Sequence, residues 1–182
     1  AFLKSLGVER FAMNLYIPSA RQRAAERVAG APSARQRAAA DPLFFPYSRI
    51  GPVIDAVRAT ARAEGLIFYW YSPTPHCLYN PIARGLGNKS CAAMDGLLSV
   101  SPSGDVLPCS SYPQPMGNLL REGFRAIWFS AAARHFKRKE YAPAECAGCE
   151  SFRACQAACP LYWNRAGTAE IRNPAARNAE PA

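Results

Sequence analysis

Seven cysteines constrain this chain more than any other feature, because four of them fall within fourteen residues as Cys146-x2-Cys149-x5-Cys155-x3-Cys159. Thiolates two residues apart can grip one metal from a tight turn, and an x3 pair sits one turn apart on one face of a helix. Zinc and iron–sulfur clusters both use such spacings. Cys77, Cys91 and Cys109 stand upstream of the four. An odd total argues against a closed disulfide framework. No secretory leader opens the chain to place it in an oxidising compartment. Metal binding is therefore the expectation from the residues, with zinc and iron–sulfur both open.

The rest of the composition sets bounds. The chain has 182 residues, of which 49% are apolar. That suits one medium domain or two small ones sharing a surface, and excludes a disordered chain. No apolar run approaches the ~18 residues of a membrane span. Net charge is +9, from 22 Lys and Arg against 13 Asp and Glu. Either an acidic partner or an Arg-rich composition accounts for it, and the many Ala–Arg stretches favour the second. The expectation is a cytoplasmic protein with no nucleic-acid and no membrane partner. The chain opens Ala-Phe-Leu-Lys, without Met, and reads as a segment of something longer.

Residues 1–71 have a strand–helix–strand rhythm. Arg10 to Ile17 is an apolar run of buried-strand length. A helix is predicted from about Arg49 to Glu64, with Ile50, Val53, Ile54, Val57 and Ala61 on one face and Gly65 as the stop. Leu66 to Tyr71 is an aromatic strand. Two strands cannot bury both faces of a parallel sheet, so neighbours are expected. Between the strands, the sequence Ser19–Ala25 recurs as Ser33–Ala39, read as a local duplication in an exposed helical connection. From residue 72, Pro, Gly and Cys become dense. Strands from Gly96 to Ser101 and Asp105 to Leu107 flank the turn Pro102-Ser103-Gly104. A helix is predicted over 118–129 with Asn118 as N-cap, then a short basic helix over 130–140.

The cysteines and their surroundings carry a family resemblance. Cys91-x12-Gly104-x4-Cys109 followed by Cys146-x2-Cys149-x5-Cys155-x3-Cys159 resembles the SPASM extension of radical S-adenosylmethionine (SAM) enzymes. Leu98 to Cys109, Met116-Gly117-Asn118-Leu119 and Ala126-Ile127-Trp128 resemble the text around those cysteines. The likeness covers about residues 77–163; residues 1–71 resemble, less specifically, the last strand–helix units of a partial TIM-like barrel. It implies an α/β fold: a barrel remnant over 1–72, a small Cys-rich α+β SPASM domain over 73–163 containing the hairpin, and a polar tail over 164–182.

The resemblance also implies two auxiliary 4Fe–4S clusters. In the family's threading Cys77, Cys91, Cys109 and Cys159 hold the first, and Cys146, Cys149 and Cys155 hold three irons of the second. The family's final cysteine has no counterpart, so the second cluster is a ligand short. The Cys-x3-Cys-x2-Cys loop that binds the SAM-cleaving cluster is also missing, so this polypeptide alone is expected to be inactive. The full-length parent would be an oxidoreductase or maturase, with SAM and a third 4Fe–4S cluster, a peptide or protein substrate and an external electron donor. Auxiliary clusters would accept the electron left after hydrogen-atom removal. Asn14, read as mid-strand and lumen-facing, would contact SAM. His76 is read as a hydrogen-bonding neighbour of Cys77, and His135 as part of a solvated basic helix face. Trp70, Tyr71, Trp128 and Trp163 are expected to pack around clusters. No catalytic side chain is assigned. The rivals are a zinc-ribbon binding module and a stand-alone iron–sulfur electron carrier.

Overall fold

A computed structural model describes residues 1–17 and 41–172. The duplicated segments at 19–25 and 33–39 lie outside the described residues, as does the end of the expected tail.

The first unit runs α1 (Phe2–Ser5), β1 (Arg10–Met13), α2 (Tyr47–Ala63) and β2 (Ile67–Trp70). The two strands pair parallel, with Arg10 opposite Ile67 and Met13 opposite Trp70. Parallel neighbours need a crossover, and α2 lies within it, so the expected βαβ rhythm is present. α2 ends where Gly65 takes φ +69° and the Leu66 N–H returns to the Ala61 carbonyl at 2.8 Å. Its buried face carries Tyr47, Ile50, Gly51, Ile54 and Ala61. Val53, expected inward, is 38% exposed. Gly51 is small for a reason: a Cβ there would meet the Tyr79 ring at 2.8 Å. β1 is shorter than the expected run to Ile17, because the Leu15 N–H leaves the ladder for the Ser72 hydroxyl at 2.7 Å. Neither strand is buried on both faces; Ile67 and Tyr69 are exposed. Among the described residues this sheet has two strands, and no barrel is built.

The second unit is an antiparallel sheet of β3 (Ser99–Val100), β4 (Asp105–Leu107) and β5 (Gly117–Asn118), in that order. The expected hairpin is there, with Ser99 opposite Leu107 and Val100 opposite Val106. The predicted helix over 118–129 is not. Asn118 is a strand residue opposite Asp105, and the helix shrinks to α3 (Phe124–Trp128). The Asn118 side chain is occupied elsewhere: Nδ2 donates to the Ser103 carbonyl at 2.9 Å and to Asp105 Oδ1 at 2.8 Å. Its Oδ1 accepts the Leu120 N–H at 2.8 Å. α4 (Ala131–Lys137) starts at Ser130, whose Oγ accepts the Ala133 N–H at 3.1 Å, a regular N-cap. It is shorter than the basic helix expected to reach residue 140.

A 3-10 turn (Ala144–Cys146), α5 (Phe152–Cys155), α6 (Pro160–Ala166) and α7 (Ala169–Arg172) complete the order. Two apolar cores result. The larger joins Tyr47, Ile54 and Trp70 to Tyr162, Trp163 and Ile171. The smaller, around Met94, Val106, Ile127 and Phe136, lies against the antiparallel sheet. The larger core crosses the boundary expected at 72/73. It also corrects the polar tail expected from Asn164, because Arg165 and Ile171 are buried there. The Tyr47 N–H donates to Tyr162 Oη at 2.9 Å, and that hydroxyl donates to Glu170. The second Glu170 oxygen accepts the Ser48 N–H at 2.6 Å. Among the described residues no helix is long and apolar enough to cross a membrane.

Candidate metal centre

The seven cysteines gather into two groups. Cys77, Cys146, Cys149 and Cys155 line one cavity of about 290 Å³, together with His76, Phe152 and Trp163. Cys91, Cys109 and Cys159 form the other. Burial first, with the thiol neighbours Cys91 and Cys109 adding to it, pushes the Cys159 thiol up to about 12. Burial likewise raises Cys91, with Cys109 beside it. In the first group burial pushes Cys146 up to about 11, reinforced by Cys155, Cys77 and Cys149.

Local structure explains the grouping. Cys146 and Cys149 sit on the tight turn expected of an x2 pair: the Cys149 N–H reaches the Cys146 carbonyl at 3.2 Å, and Gly148 takes φ +72°. The x3 pair behaves differently. A shared helical face was expected, but α5 stops at Cys155. Gln156, Ala157 and Ala158 then turn left-handed one after another, at φ 52°, 58° and 56°. Each costs an L-residue about 1–2 kcal/mol. Successive turned amides make a concave anion-binding shape. The amides of Ala157 and Ala158 face the Cys155 sulfur, and the His76 N–H donates to it at 3.4 Å. Cys159 resumes as the N-cap of α6, with the amides of Leu161 and Tyr162 against its sulfur. The left-handed turn thus sends Cys155 to one group and Cys159 to the other.

Cys77 departs from the family threading. It was expected with Cys91, Cys109 and Cys159, and instead it lines the cavity beside Cys146. The bond from the neighbouring His76 backbone to Cys155 holds the 75–78 turn on that side. The arrangement is therefore four cysteines and three.

The donor set is soft sulfur, which suits zinc or iron. Among the described residues no three Cys, His, Asp or Glu side chains converge on a point that could hold one ion. Four thiolates on one zinc must all come within about 2.3 Å of it. An iron–sulfur cluster instead spreads its thiolates over separate irons. Cysteines spaced around a cavity of about 290 Å³, many times the ~30 Å³ share of one water, fit the cluster better. His76 is one of the residues lining the cavity, and its Nε2 is buried with no hydrogen-bond partner among the described residues. Burial lowers the His76 pKa.

Other expected residues fall as follows. Asn14 is exposed, one residue past β1 rather than mid-strand, and is not among the residues lining the cysteine cavity. His135 Nδ1 lies 3.2 Å from Glu140 on an exposed face, as a solvated helix would have it. Trp163 does line the cavity. Trp70 is core, Trp128 stacks on Phe124 under the Lys137 ammonium, and Tyr71 is exposed. Lys139, expected only as part of the solvated basic stretch over 134–139, is buried instead. Its buried Nζ donates to the Cys91 carbonyl at 3.1 Å and to Asp95 at 3.0 Å, and the Tyr141 hydroxyl lies beside the Cys91 thiol. A cation there offsets negative charge on the three-cysteine group.

Two cysteine groups on a small α/β scaffold define an iron–sulfur cluster-binding protein. Residues 91–150 match the family model of SPASM, an iron-sulfur cluster-binding domain, and the resemblance read from the spacing is borne out there. The match takes in Cys91, Cys109, Cys146 and Cys149, while Cys77, Cys155 and Cys159 lie outside it. No curated protein and no solved structure matches the chain.

Proposed function

We propose that this chain holds two 4Fe–4S clusters and serves a radical SAM oxidation of a peptide or protein by taking up electrons from the substrate. The observation that carries the reading is the division of seven cysteines into a cavity-lining four and a neighbouring three. Cys77, Cys146, Cys149 and Cys155 would hold one cluster completely. Cys91, Cys109 and Cys159 would hold three irons of the other and leave its fourth open, next to Tyr141 and Lys139. Bound clusters supply one-electron redox chemistry. The chain's own residues keep the site dry, through Trp163 and Phe152, and set the local charge, through the amides on Cys155 and the Lys139 ammonium. SAM and the cluster that cleaves it belong to the Cys-x3-Cys-x2-Cys loop of such enzymes; an external donor would reduce that cluster for SAM cleavage, and the electron taken up from the substrate would leave the auxiliary clusters for that cluster or for an external acceptor.

Anaerobic purification tests this. A brown protein with about eight irons and matching sulfide per chain is expected from two four-iron clusters. A colourless protein with zinc and no sulfide would make it a zinc-ribbon scaffold. Cys77→Ala then tests the grouping. It should remove the same electron paramagnetic resonance signal as Cys149→Ala and spare the one removed by Cys109→Ala. The opposite pattern restores the family threading.

A further inference from the structure

We propose that the His76 imidazole donates a hydrogen bond from Nε2 to a sulfur of the cluster in the four-cysteine cavity and raises that cluster's reduction potential without ligating iron. This rests on the preceding reading that the cavity holds an iron–sulfur cluster. His76 lines the cavity, and its Nε2 is buried with no hydrogen-bond partner among the described residues. Leaving such a buried group unmet is destabilising. The occupant of the cavity is the natural acceptor, and cluster sulfides and thiolates are anionic acceptors. The Trp163 indole N–H, the other large donor on that wall, is already given to the Ala157 carbonyl at 2.6 Å.

Ligation is the competing role, and the count argues against it. Cys77, Cys146, Cys149 and Cys155 already supply four thiolates for four irons. The His76 backbone N–H donates to Cys155 Sγ at 3.4 Å, so backbone and ring of one residue both meet the cluster's shell. A hydrogen bond to cluster sulfur favours the reduced state, which carries one more negative charge, and so moves the potential up. His76 acts through the cluster and is a positioning residue.

The test uses the full chain, purified and reconstituted anaerobically, with potentiometric titration followed by electron paramagnetic resonance. Cys149→Ala identifies which of two reduction waves belongs to the cavity. His76→Ala should keep the native iron and sulfide content, move that wave to lower potential and leave the other in place. His76→Gln, which retains an N–H donor, should recover part of the shift. In native protein carrying 15N only in the histidine imidazole ring, so that the His76 backbone amide on Cys155 is silent, the cavity cluster should show a weak nitrogen coupling; this readout does not depend on any variant folding. The chain has only two histidines, and His135 lies on the exposed face of α4. An unmoved wave in His76→Ala, or no nitrogen coupling in the native protein, overturns the proposal. Strong coupling with loss of about four irons in His76→Ala makes His76 a ligand and also overturns it. A native protein without iron and sulfide overturns both this proposal and the reading beneath it, whereas a native protein with its full iron and an unmoved wave overturns this proposal alone.

Discussion

Gln156, Ala157 and Ala158 are the residues whose backbone decides where the last two cysteines go. None carries a sequence signal for it. Glycine or asparagine would have announced a left-handed stop, but glutamine and alanine read as helix formers. The x3 spacing therefore pointed to one helical face, and the structure breaks the helix between the two sulfurs. The strain is local and can be relieved. Gln156 is half-buried and closes α5 at φ 52°. Gln156→Gly removes a left-handed penalty of about 1–2 kcal/mol and adds back up to about 1 kcal/mol of unfolded-chain entropy. A net gain of about 0.5–1 kcal/mol is expected in denaturant unfolding of the iron-free chain, with iron content unchanged. A loss of stability would show that the glutamine side chain matters more than its backbone. The metal-binding spacing of the cysteines is legible in the sequence alone. The grouping of Cys77 with Cys146, Cys149 and Cys155 is not legible there, since a long connecting loop leaves its neighbours to the fold.

At the scale of elements, the hairpin and the βαβ unit were legible and the third strand was not. A Pro-Ser-Gly turn between two apolar runs dictates β3 and β4, and one helical face ending in Gly65 dictates α2. Asn118 offers itself equally to a helix N-cap and to a turn. The choice depends on Ser103 and Asp105, which lie across the sheet and are invisible to a local reading. The same contact makes a prediction about acid. Asn118 first, then Ser103 and Ser101, hold the Asp105 carboxyl below its usual 3.8. The sign follows: a depressed carboxylate adds stability above its unfolded value and loses it as pH falls through the folded one. Asn118→Ala should return the Asp105 titration toward 3.8, followed by NMR of its carboxyl carbon. The hairpin should then loosen at a higher pH than in the native chain. An Asp105 curve that stays put in the variant would assign the shift to the serines instead.

Across the whole molecule, the sequence divides at residue 72 by texture, and the structure does not. Tyr47, at the start of the first long helix, stacks on Tyr162 with ring centroids 3.8 Å apart. Glu170 ties both ends of that contact, accepting from Tyr162 and from the Ser48 amide. Long-range pairings of this kind leave no periodic trace, which is why residues 164–172 read as a polar tail. Glu170→Ala should cost about 1–3 kcal/mol, the penalty for stranding a buried hydroxyl and an amide. Thermal unfolding should show one transition that moves down as a unit. Two separate transitions would mean that the halves fold independently and that the shared core is weak. Glu170→Gln, which keeps an acceptor, should lose less.

The left-handed turn has a consequence for the two metal groups as a pair. Cys155 and Cys159 are joined by three residues, and a chain segment of four steps spans at most about 14 Å between its Cα atoms. With Cys155 in one group and Cys159 in the other, that short peptide is a tether of fixed maximum length between the two cysteine groups. Whatever the rest of the molecule does, the two groups cannot drift apart beyond it, so the clusters proposed there would stay within a bounded distance of each other.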